Sequence, residues 1–334
     1  MSPPHTVAIL RDQETPILVV QVDSGKAVGF GHVGRCLAIV EELGDRAAVA
    51  VCDESTAYML RARGISVVPG DTPAPVLLVD RRAPTSTGEV VRMRERGRRV
   101  CLLDDRGSGR VSADVVIDPP TGCAWPPAGG LRLAGFEHVL LRRAVRAAAN
   151  LGERGAIEVL VSMGASDPEN LTAPIAAALR SAGMSVVSVV GPFYRGARPP
   201  GQILDSERDW PRALATAQLL VCRFGHTLIE AAHLGTPALT IATTSATAVE
   251  ATLFASHGTA EAIQAHRVID IAAVAQRVVG LLDDPARLLA MAQRGRELVD
   301  GHGARRVSRA LEELARPQAP LSRSEAVKST EPVL

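Results

Sequence analysis

Residues 17–43 read ILVVQVDSGKAVGFGHVGRCLAIVEEL, and residues 219–241 read LLVCRFGHTLIEAAHLGTPALTI. Each starts as a run of branched apolar residues, passes through a polar loop bearing glycine, and continues into a helical pattern. In the first stretch the run ends near Val22 and the helix begins near His32. In the second the run ends at Cys222, Arg223 to His226 form the turn, and Thr227 opens the helix. Gly235 closes that helix and Pro237 leads into the next run, which are the expected stop signals. Neither run alternates apolar with polar residues. Continuous runs of this kind belong to parallel strands covered on both faces.

The same unit recurs outward from both stretches. Strands are expected at 17–22, 47–51, 76–79, 99–103 and 115–117, then at 157–162, 185–190, 219–222 and 238–241. Helical patterns fall at about 32–43, 55–63, 88–96, 168–182, 209–217, 227–234, 248–257 and 269–282, followed by 285–299 and 303–314. Two βα series predict an α/β fold of two doubly wound, Rossmann-like domains facing a cleft. The expected domains are 15–150 and 155–316. The polar, unpatterned segments 1–14 and 317–334 are expected to be disordered. A chain of 334 residues suits two domains of roughly 150 residues each.

Composition narrows the partners. Lys and Arg number 37 against 36 Asp and Glu, a net charge of +1. Without a basic excess there is no electrostatic case for nucleic acid, and 3% aromatic residues offer few stacking platforms. No apolar run reaches the roughly 18 residues of a membrane span. The N-terminal stretch lacks the charged start and long apolar core of a secretory signal. The five scattered cysteines form no C-x-x-C pair and read as thiols of a reducing compartment. A cytoplasmic protein is expected. Its oligomeric state is left open.

In open parallel sheets, ligands lie at the loops that follow the strands, so these loops carry the candidate residues. Gly29, Gly31 and Gly34 spell G-x-G-x-x-G, with Asp53 near the place of a ribose carboxylate. However, Asp23 to Val28 separate the strand from the first glycine, which argues against a nicotinamide or flavin site. His32 stands where the loop meets the helix. An imidazole there can act as a general base, and a helix start favours its neutral form. It can equally be a capping histidine. In VLVSMGASDPEN, residues 159–170, Gly164 and its small neighbours could admit phosphate, or Asp167 and Pro168 could simply start a helix as cap and first residue. The N–H groups of Gly225 to Thr227 would face an anion. Glu230, one turn further, could accept from a ribose diol or merely favour the helix dipole. His226 and His233 lack a third ligand, so no metal site is read. Asp104 and Asp105 could in principle be a metal pair, but just after a strand and ahead of Arg106 and Gly107 they read better as loop carboxylates beside the cleft.

Several segments together resemble a known family. GFGHVGRCLAIVEEL at 29–43 is similar to the opening loop of the pseudaminic-acid pathway hydrolases, which cleave UDP-2,4-diacetamido-2,4,6-trideoxy-β-L-altropyranose, and to spore-coat polysaccharide proteins. In family order follow LLVD at 77–80, CLLDD at 101–105, ADVVID at 113–118, LLRR at 140–143, VSMGASDPENLT at 161–172 and FGHTLIEAAHLGTPAL at 224–239. The last is shared with the lipid-intermediate N-acetylglucosaminyl transferase of peptidoglycan synthesis. The resemblance implies the GT-B fold, with the nucleotide held mainly by the C-terminal domain. It implies that His32 activates water at the anomeric carbon with inversion, flanked by Asp23 and Arg35. It puts Gly164 and the Gly225–Thr227 turn around the diphosphate and Glu230 on the ribose. Three departures stand out. Phe224-Gly225-His226-Thr227 replaces a turn of two glycines followed by Ser-Thr, no Asn-Gln pair follows Ile241, and Arg81-Arg82 replace a tyrosine. Either His226 replaces the lost phosphate contact or the site accepts a different phosphate geometry.

The leading expectation is hydrolysis of a nucleotide-sugar, a UDP-sugar first, with Arg223 or His226 helping the leaving phosphates. The layout calls for no cofactor and no metal. The alternatives are glycosyl transfer to an acceptor and a catalytically degenerate nucleotide-sugar-binding partner. The arginine run RMRERGRR at 92–99 is the one candidate flank for a lipid-linked acceptor, though such runs are usually solvated helix faces.

Overall fold

The computed structural model describes residues 15–25, 31–151, 155–191, 193–205, 208–264 and 269–317. Six strands form the first sheet: β1 (Leu18–Val22), β2 (Ala47–Ala50), β3 (Val76–Asp80), β4 (Arg99–Leu103), β5 (Val115–Asp118) and β6 (Leu131–Ala134), in the order β2-β1-β3-β4-β5-β6. Six more form the second: β7 (Ile157–Ser162), β8 (Val186–Val189), β9 (Gln202–Leu204), β10 (Ala217–Arg223), β11 (Ala238–Ala242) and β12 (Ala260–Gln264), in the order β12-β11-β10-β7-β8-β9. Every neighbouring pair in both sheets is parallel. Helices α1 (Gly31–Leu43), α2 (Glu54–Ala62) and α3 (Thr87–Arg94) serve the first sheet. Helices α4 (Arg143–Ala148), α5 (Thr172–Ser181), α6 (Trp210–Thr216), α7 (His226–Leu234), α8 (Ser245–Ser256), α9 (Ile271–Leu282), α10 (Pro285–Leu298) and α11 (Gly303–Ala315) complete the chain.

Strand order locates the ligand-binding edge. The first sheet reverses direction between β1 and β3, and the second between β7 and β10. A crevice opens at such a reversal because the connections on its two sides leave toward opposite faces. The loops after these four strands are those that begin at Asp23, Arg81, Met163 and Phe224. The quoted motifs therefore converge on two crevices.

The strands missed by sequence patterning are β6 (LRLA), β9 (QIL) and β12 (AEAIQ). All three are sheet edges. These three are less covered than the edge strand β2 (AAVA), which is buried throughout, and carry no continuous buried apolar run. Asp167 also differs from its expected place at the start of a helix at 168. It lies at φ +42 and caps from further back, accepting from Leu171 N at 3.0 Å and Thr172 N at 2.8 Å. Residues 168–170 form a turn, and α5 begins only at Thr172. The proline at 168 starts that turn instead of the helix.

Packing divides the chain differently from the sequence boundaries. Val145 and Ala148 of α4 are buried with Trp210, Leu214 and Leu228 in the second core. Ala304, Val307 and Leu311 of α11 are buried with Leu18, Val33, Leu37 and Leu78 in the first. The chain thus crosses between the domains twice, once ahead of α4 and once ahead of α11. The crossings touch: a side chain at Gly303 would meet the Val139 carbonyl oxygen at 2.1 Å, and Arg306 Nη1 donates to the Glu137 carbonyl at 2.8 Å. Arg143 N donates to Glu41 Oε2 at 2.6 Å, and Arg146 pairs with Glu42, joining α4 to the end of α1. The expected disorder at 1–14 and 317–334 lies, Pro317 apart, outside the described residues.

Candidate active site

The first helix positions the central group. On α1, His32 and Arg35 are three residues apart and share a face. Both reach Asp80, the last residue of β3. Its carboxylate is fully buried because the strand before it, Val76–Val79, runs through the core. His32 Nδ1 lies 2.6 Å from Asp80 Oδ1. Arg35 donates from Nε to Oδ2 at 2.7 Å and from Nη2 to Oδ1 at 2.6 Å. Cys36 Sγ is 3.3 Å from Oδ2. Arg35 Nη1 goes on to Asp104 Oδ2 at 2.6 Å. Asp104 follows β4 at φ +53, a left-handed conformation that turns its carboxylate back toward the guanidinium.

Arg35 Nη2 also lies 3.1 Å from His32 Nδ1. Two donors cannot bond each other, and the shorter contacts both end on Asp80 Oδ1. We therefore assign the Nδ1 proton to the Asp80 bond. That leaves Nε2, across the ring, as the basic nitrogen. Burial alone would raise the Asp80 pKa, but Arg35 and then His32 outweigh it and bring the pKa down to about 2. Burial disfavours the Arg35 charge, yet Asp80 and Asp104 together lift its pKa above the usual arginine value. The carboxylate is ionised at neutral pH and can both orient the imidazole and stabilise its protonated form.

A cavity of about 310 Å³ opens beside this group and is walled by both domains. The first domain contributes Gly31, His32, Arg35 and Asp104, and the second Phe224, Gly225 and His226. The loop after β5 closes one side with Pro119, Pro120, Thr121 and Trp125. Arg106 stacks over Trp125 at 4.1 Å and holds Thr121 Oγ1 at 3.3 Å. Thr121 and Gly122 in turn reach across to Glu250 of α8, the amide of Gly122 donating at 3.0 Å.

The remaining candidates are distributed as follows. Gly29 lies outside the described residues. Asp23 does not line the cavity. Its carboxylate accepts from Arg82 N at 2.9 Å and its amide donates to the Asp80 carbonyl at 3.0 Å, so it braces the loop that follows Asp80. Asp53 caps α2 through Thr56 N at 2.9 Å and also accepts from Ser24 and Ser55. Gly164 takes φ +91 with open space where a side chain would be. Arg223 is held by Glu169 at 3.0 Å instead of facing the cavity. Thr227 sits in the first turn of α7 and does not line the cavity either. Phe224 does line it, and packs edge-on against Phe254 with ring centroids 6.0 Å apart.

Glu230 is 4% exposed. It accepts from Trp210 Nε1 at 2.8 Å and Arg142 Nη2 at 3.2 Å, so both of its oxygens already have protein partners. The arginine run at 92–99 is largely structural. Arg98 donates to the carbonyls of Asp71 and Thr72, while Arg94 and Arg99 pair with Asp114. Asp105 is buried under the Thr85 and Gly107 amides. Only Asp104 of that pair reaches the cleft. Among the described residues, no group of three or more His, Cys, Asp or Glu comes together as a metal site, and no helix is long and apolar enough to cross a membrane.

Sequence reasoning missed Asp80, Glu250 and Trp125 as site residues. Asp80 had a readable signal, a carboxylate ending a fully apolar run on the ligand-facing edge of a parallel sheet. Glu250 and Trp125 had none, because only the domain arrangement brings them to the cleft.

Comparison with solved structures decides the fold type. Acinetobacter baumannii MurG matches with a TM-score of 0.62 at 16% identity, covering 89% of this chain and all of that one. The chain has the GT-B fold. The spinosyn forosaminyltransferase SpnP matches at 0.63 with 14% identity over 91% of this chain and all of that one. Anabaena Alr3699/HepE, solved with UDP-glucose, matches at 0.57 with 12% identity over 89% and 98% of the two chains. No protein-family model and no curated protein matches the sequence. At these identities the likeness concerns the fold alone.

Proposed function

We propose that the protein is a nucleotide-sugar enzyme in which His32, oriented by Asp80, activates the nucleophile that attacks the anomeric carbon. The observation that carries this reading is the 2.6 Å contact between His32 and the fully buried Asp80 on the wall of a cleft between two GT-B domains. Nε2 of His32 takes the proton of the attacking O–H as the new C–O bond forms. The bond from C1 to the diphosphate oxygen breaks on the opposite face, and its electron pair leaves with the nucleoside diphosphate. The stereochemistry is inversion. Backbone N–H groups at the start of α7, with the positive end of the helix dipole, would receive the developing phosphate charge. Water as nucleophile gives hydrolysis to free sugar and nucleoside diphosphate.

A second reading, transfer to an acceptor hydroxyl, is favoured by the apolar wall of Pro119, Pro120 and Trp125 in the same cavity as the base. A bare water would need no such wall. The UDP-glucose complex of Anabaena Alr3699/HepE makes UDP-sugars the first donors to try.

The test is to incubate the protein with UDP-, CMP-, GDP- and dTDP-sugars, with and without EDTA, and to follow nucleotide release. Release without added acceptor, abolished in His32→Ala, is expected for the hydrolase. Release only with an acceptor moves the assignment to transfer. Release that survives His32→Ala sinks the histidine mechanism.

A further inference from the structure

Arg35 holds two carboxylates, and they differ in access. Asp80 is fully buried, and its oxygens take His32, Arg35 and the Cys36 thiol. The Asp104 side chain is 37% exposed and lines the cavity. Among the described residues Arg35 is its side-chain partner, donating from Nη1 to Oδ2 at 2.6 Å. A carboxylate has room for about four hydrogen bonds, so Asp104 keeps accepting capacity where it opens to the cavity.

Balancing Arg35 does not account for Asp104. Asp80 already takes Nε and Nη2 of the guanidinium and matches its charge. The second carboxylate leaves this group of two anions and one cation with an excess of negative charge beside His32. The backbone is set to produce it. The Asp104 amide donates to the Ile117 carbonyl at 3.0 Å, and a φ of +53 then swings the side chain off the sheet edge toward α1. Aspartate and asparagine are among the few side chains that adopt this region readily, and such positions cluster at ligand sites. A phosphate or carboxylate brought here would meet a like charge in a site partly shut off from water. A neutral hydroxyl would find an acceptor.

Resting on the nucleotide-sugar reading above, we infer that Asp104 is a specificity residue that accepts a hydrogen bond from a hydroxyl of the glycosyl group and disfavours sugars that carry a carboxylate. One guanidinium ties Asp104 to the Asp80–His32 pair, so a sugar whose anomeric carbon is served by His32 brings its hydroxyls within reach of Asp104. The diphosphate leaves on the opposite face, toward α7 and away from both. A site built to accept from a hydroxyl discriminates strongly against an analogue that lacks it, because the acceptor is then left bare.

The test uses calorimetry on the full chain with three sets of probes: UDP, UDP-glucose and UDP-glucuronic acid; dTDP, dTDP-glucose and dTDP-glucuronic acid; GDP, GDP-mannose and GDP-mannuronic acid. Asp104→Gly and Asp104→Asn both suit the left-handed backbone, and asparagine also keeps an oxygen for Arg35. The bare nucleotide and the melting temperature report intact folding. For the set that binds, Asp104→Gly is expected to weaken the neutral nucleotide-sugar about tenfold, while the bare nucleoside diphosphate changes less than about twofold. Asp104→Asn recovers part of that loss. In both variants the preference for the neutral over the anionic sugar narrows by about tenfold.

Equal weakening of nucleotide and nucleotide-sugar would overturn the assignment and leave Asp104 a partner of Arg35 alone. Unchanged affinities would overturn it too, as would a preference between neutral and anionic sugars that neither substitution moves. A loss confined to turnover, with affinities untouched, would overturn it in favour of a contact to the nucleophile. If no probe, bare or glycosylated, binds to the wild type, the nucleotide-sugar reading itself fails and the assignment falls with it. If wild type binds the probes and the variants bind them alike, the assignment falls and the nucleotide-sugar reading stands.

Discussion

Replacing Asp80 by asparagine removes one charge and little volume, so its effects can be worked out from the site. The drop in pKa from 3.8 to about 2 corresponds to about 2 kcal/mol of native stability. Asparagine also leaves the Arg35 guanidinium buried against a neutral amide. Breaking a buried pair outright typically costs about 3–5 kcal/mol. Since Asp104 still holds Arg35 Nη1, a loss near the lower end is expected, read from urea unfolding at pH 7.

The sign with pH follows from the depressed pKa. The ionised carboxylate contributes its full stability above pH 3.8 and loses it as the pH falls through about 2. The gap between wild type and variant should therefore be constant near neutrality and close in acid. Activity should suffer more than stability. The amide can present its N–H to His32, which would turn the ring and put the proton on Nε2, where the base is needed. In Ser-His-Asp enzymes the equivalent change costs about 10⁴-fold, and a loss of at least about 10²-fold in nucleotide release is expected here. A variant that keeps its turnover within threefold of wild type, while losing stability as described, would show that Asp80 is a structural ion-pair partner and that His32 needs no orienting carboxylate.

Other perturbations separate binding from architecture. Glu230→Ala should destabilise the second domain by about 3 kcal/mol, because Trp210 and Arg142 lose a shared, buried partner. An unchanged melting temperature would mean the carboxylate is free to serve a ligand. Gly122→Ala should pry the β5–β6 loop from α8, since its new Cβ would come within 2.6 Å of the Val249 side chain and 2.9 Å of its carbonyl oxygen. The expected result is a raised KM with stability little altered, and an unchanged KM would argue that this contact plays no part in closing the cleft. The folded pKa of His226 lies below 6.5, so the stability of its neutral form is present above pH 6.5 and is lost as the pH falls through the folded value. His226→Gln should flatten the decline of melting temperature below pH 6.5, whereas parallel curves would contradict the burial of that ring. Leu311→Ala, in a helix at the far end of the sequence from the sheet it covers, should cost about 2–5 kcal/mol and unfold the first domain first, as seen by hydrogen exchange at β1 and β3.

What sequence could deliver depended on how many sides of an element are covered. Central strands carry unbroken apolar runs, Val76–Val79 in β3 and Leu219–Cys222 in β10, and were readable from those runs. LRLA, QIL and AEAIQ lie at edges and were not. Glycines mark the loops after β1, β7 and β10 locally, although the helix after β7 begins at Thr172 and not at Pro168. The loop after β3 carries no such mark, and Arg35 was suggested by the family resemblance alone. Asp80 was quoted within LLVD without being given a role, since its partners come from 45 and 48 residues upstream. The satisfied state of Glu230 could not be anticipated either, because Arg142 and Trp210 are distant in the chain and only the second core unites them. Arg223 fits the same pattern: a cation beside a glycine turn reads as an anion ligand until a neighbouring loop supplies Glu169.

The helix at 303–315 also bears on how the protein is made. Synthesis delivers the first sheet early, but the side chains that seal one face of it, Ala304, Val307 and Leu311, leave the ribosome only after the whole second sheet. Domains usually fold as units in order of emergence, and this chain is barred from doing so. Its first domain must wait, with Leu18, Val33 and Leu37 incompletely covered, until the second has been translated. During that interval the nascent chain presents an apolar face beside open strands, which makes it a client for chaperones and a hazard when translation stalls near residue 300.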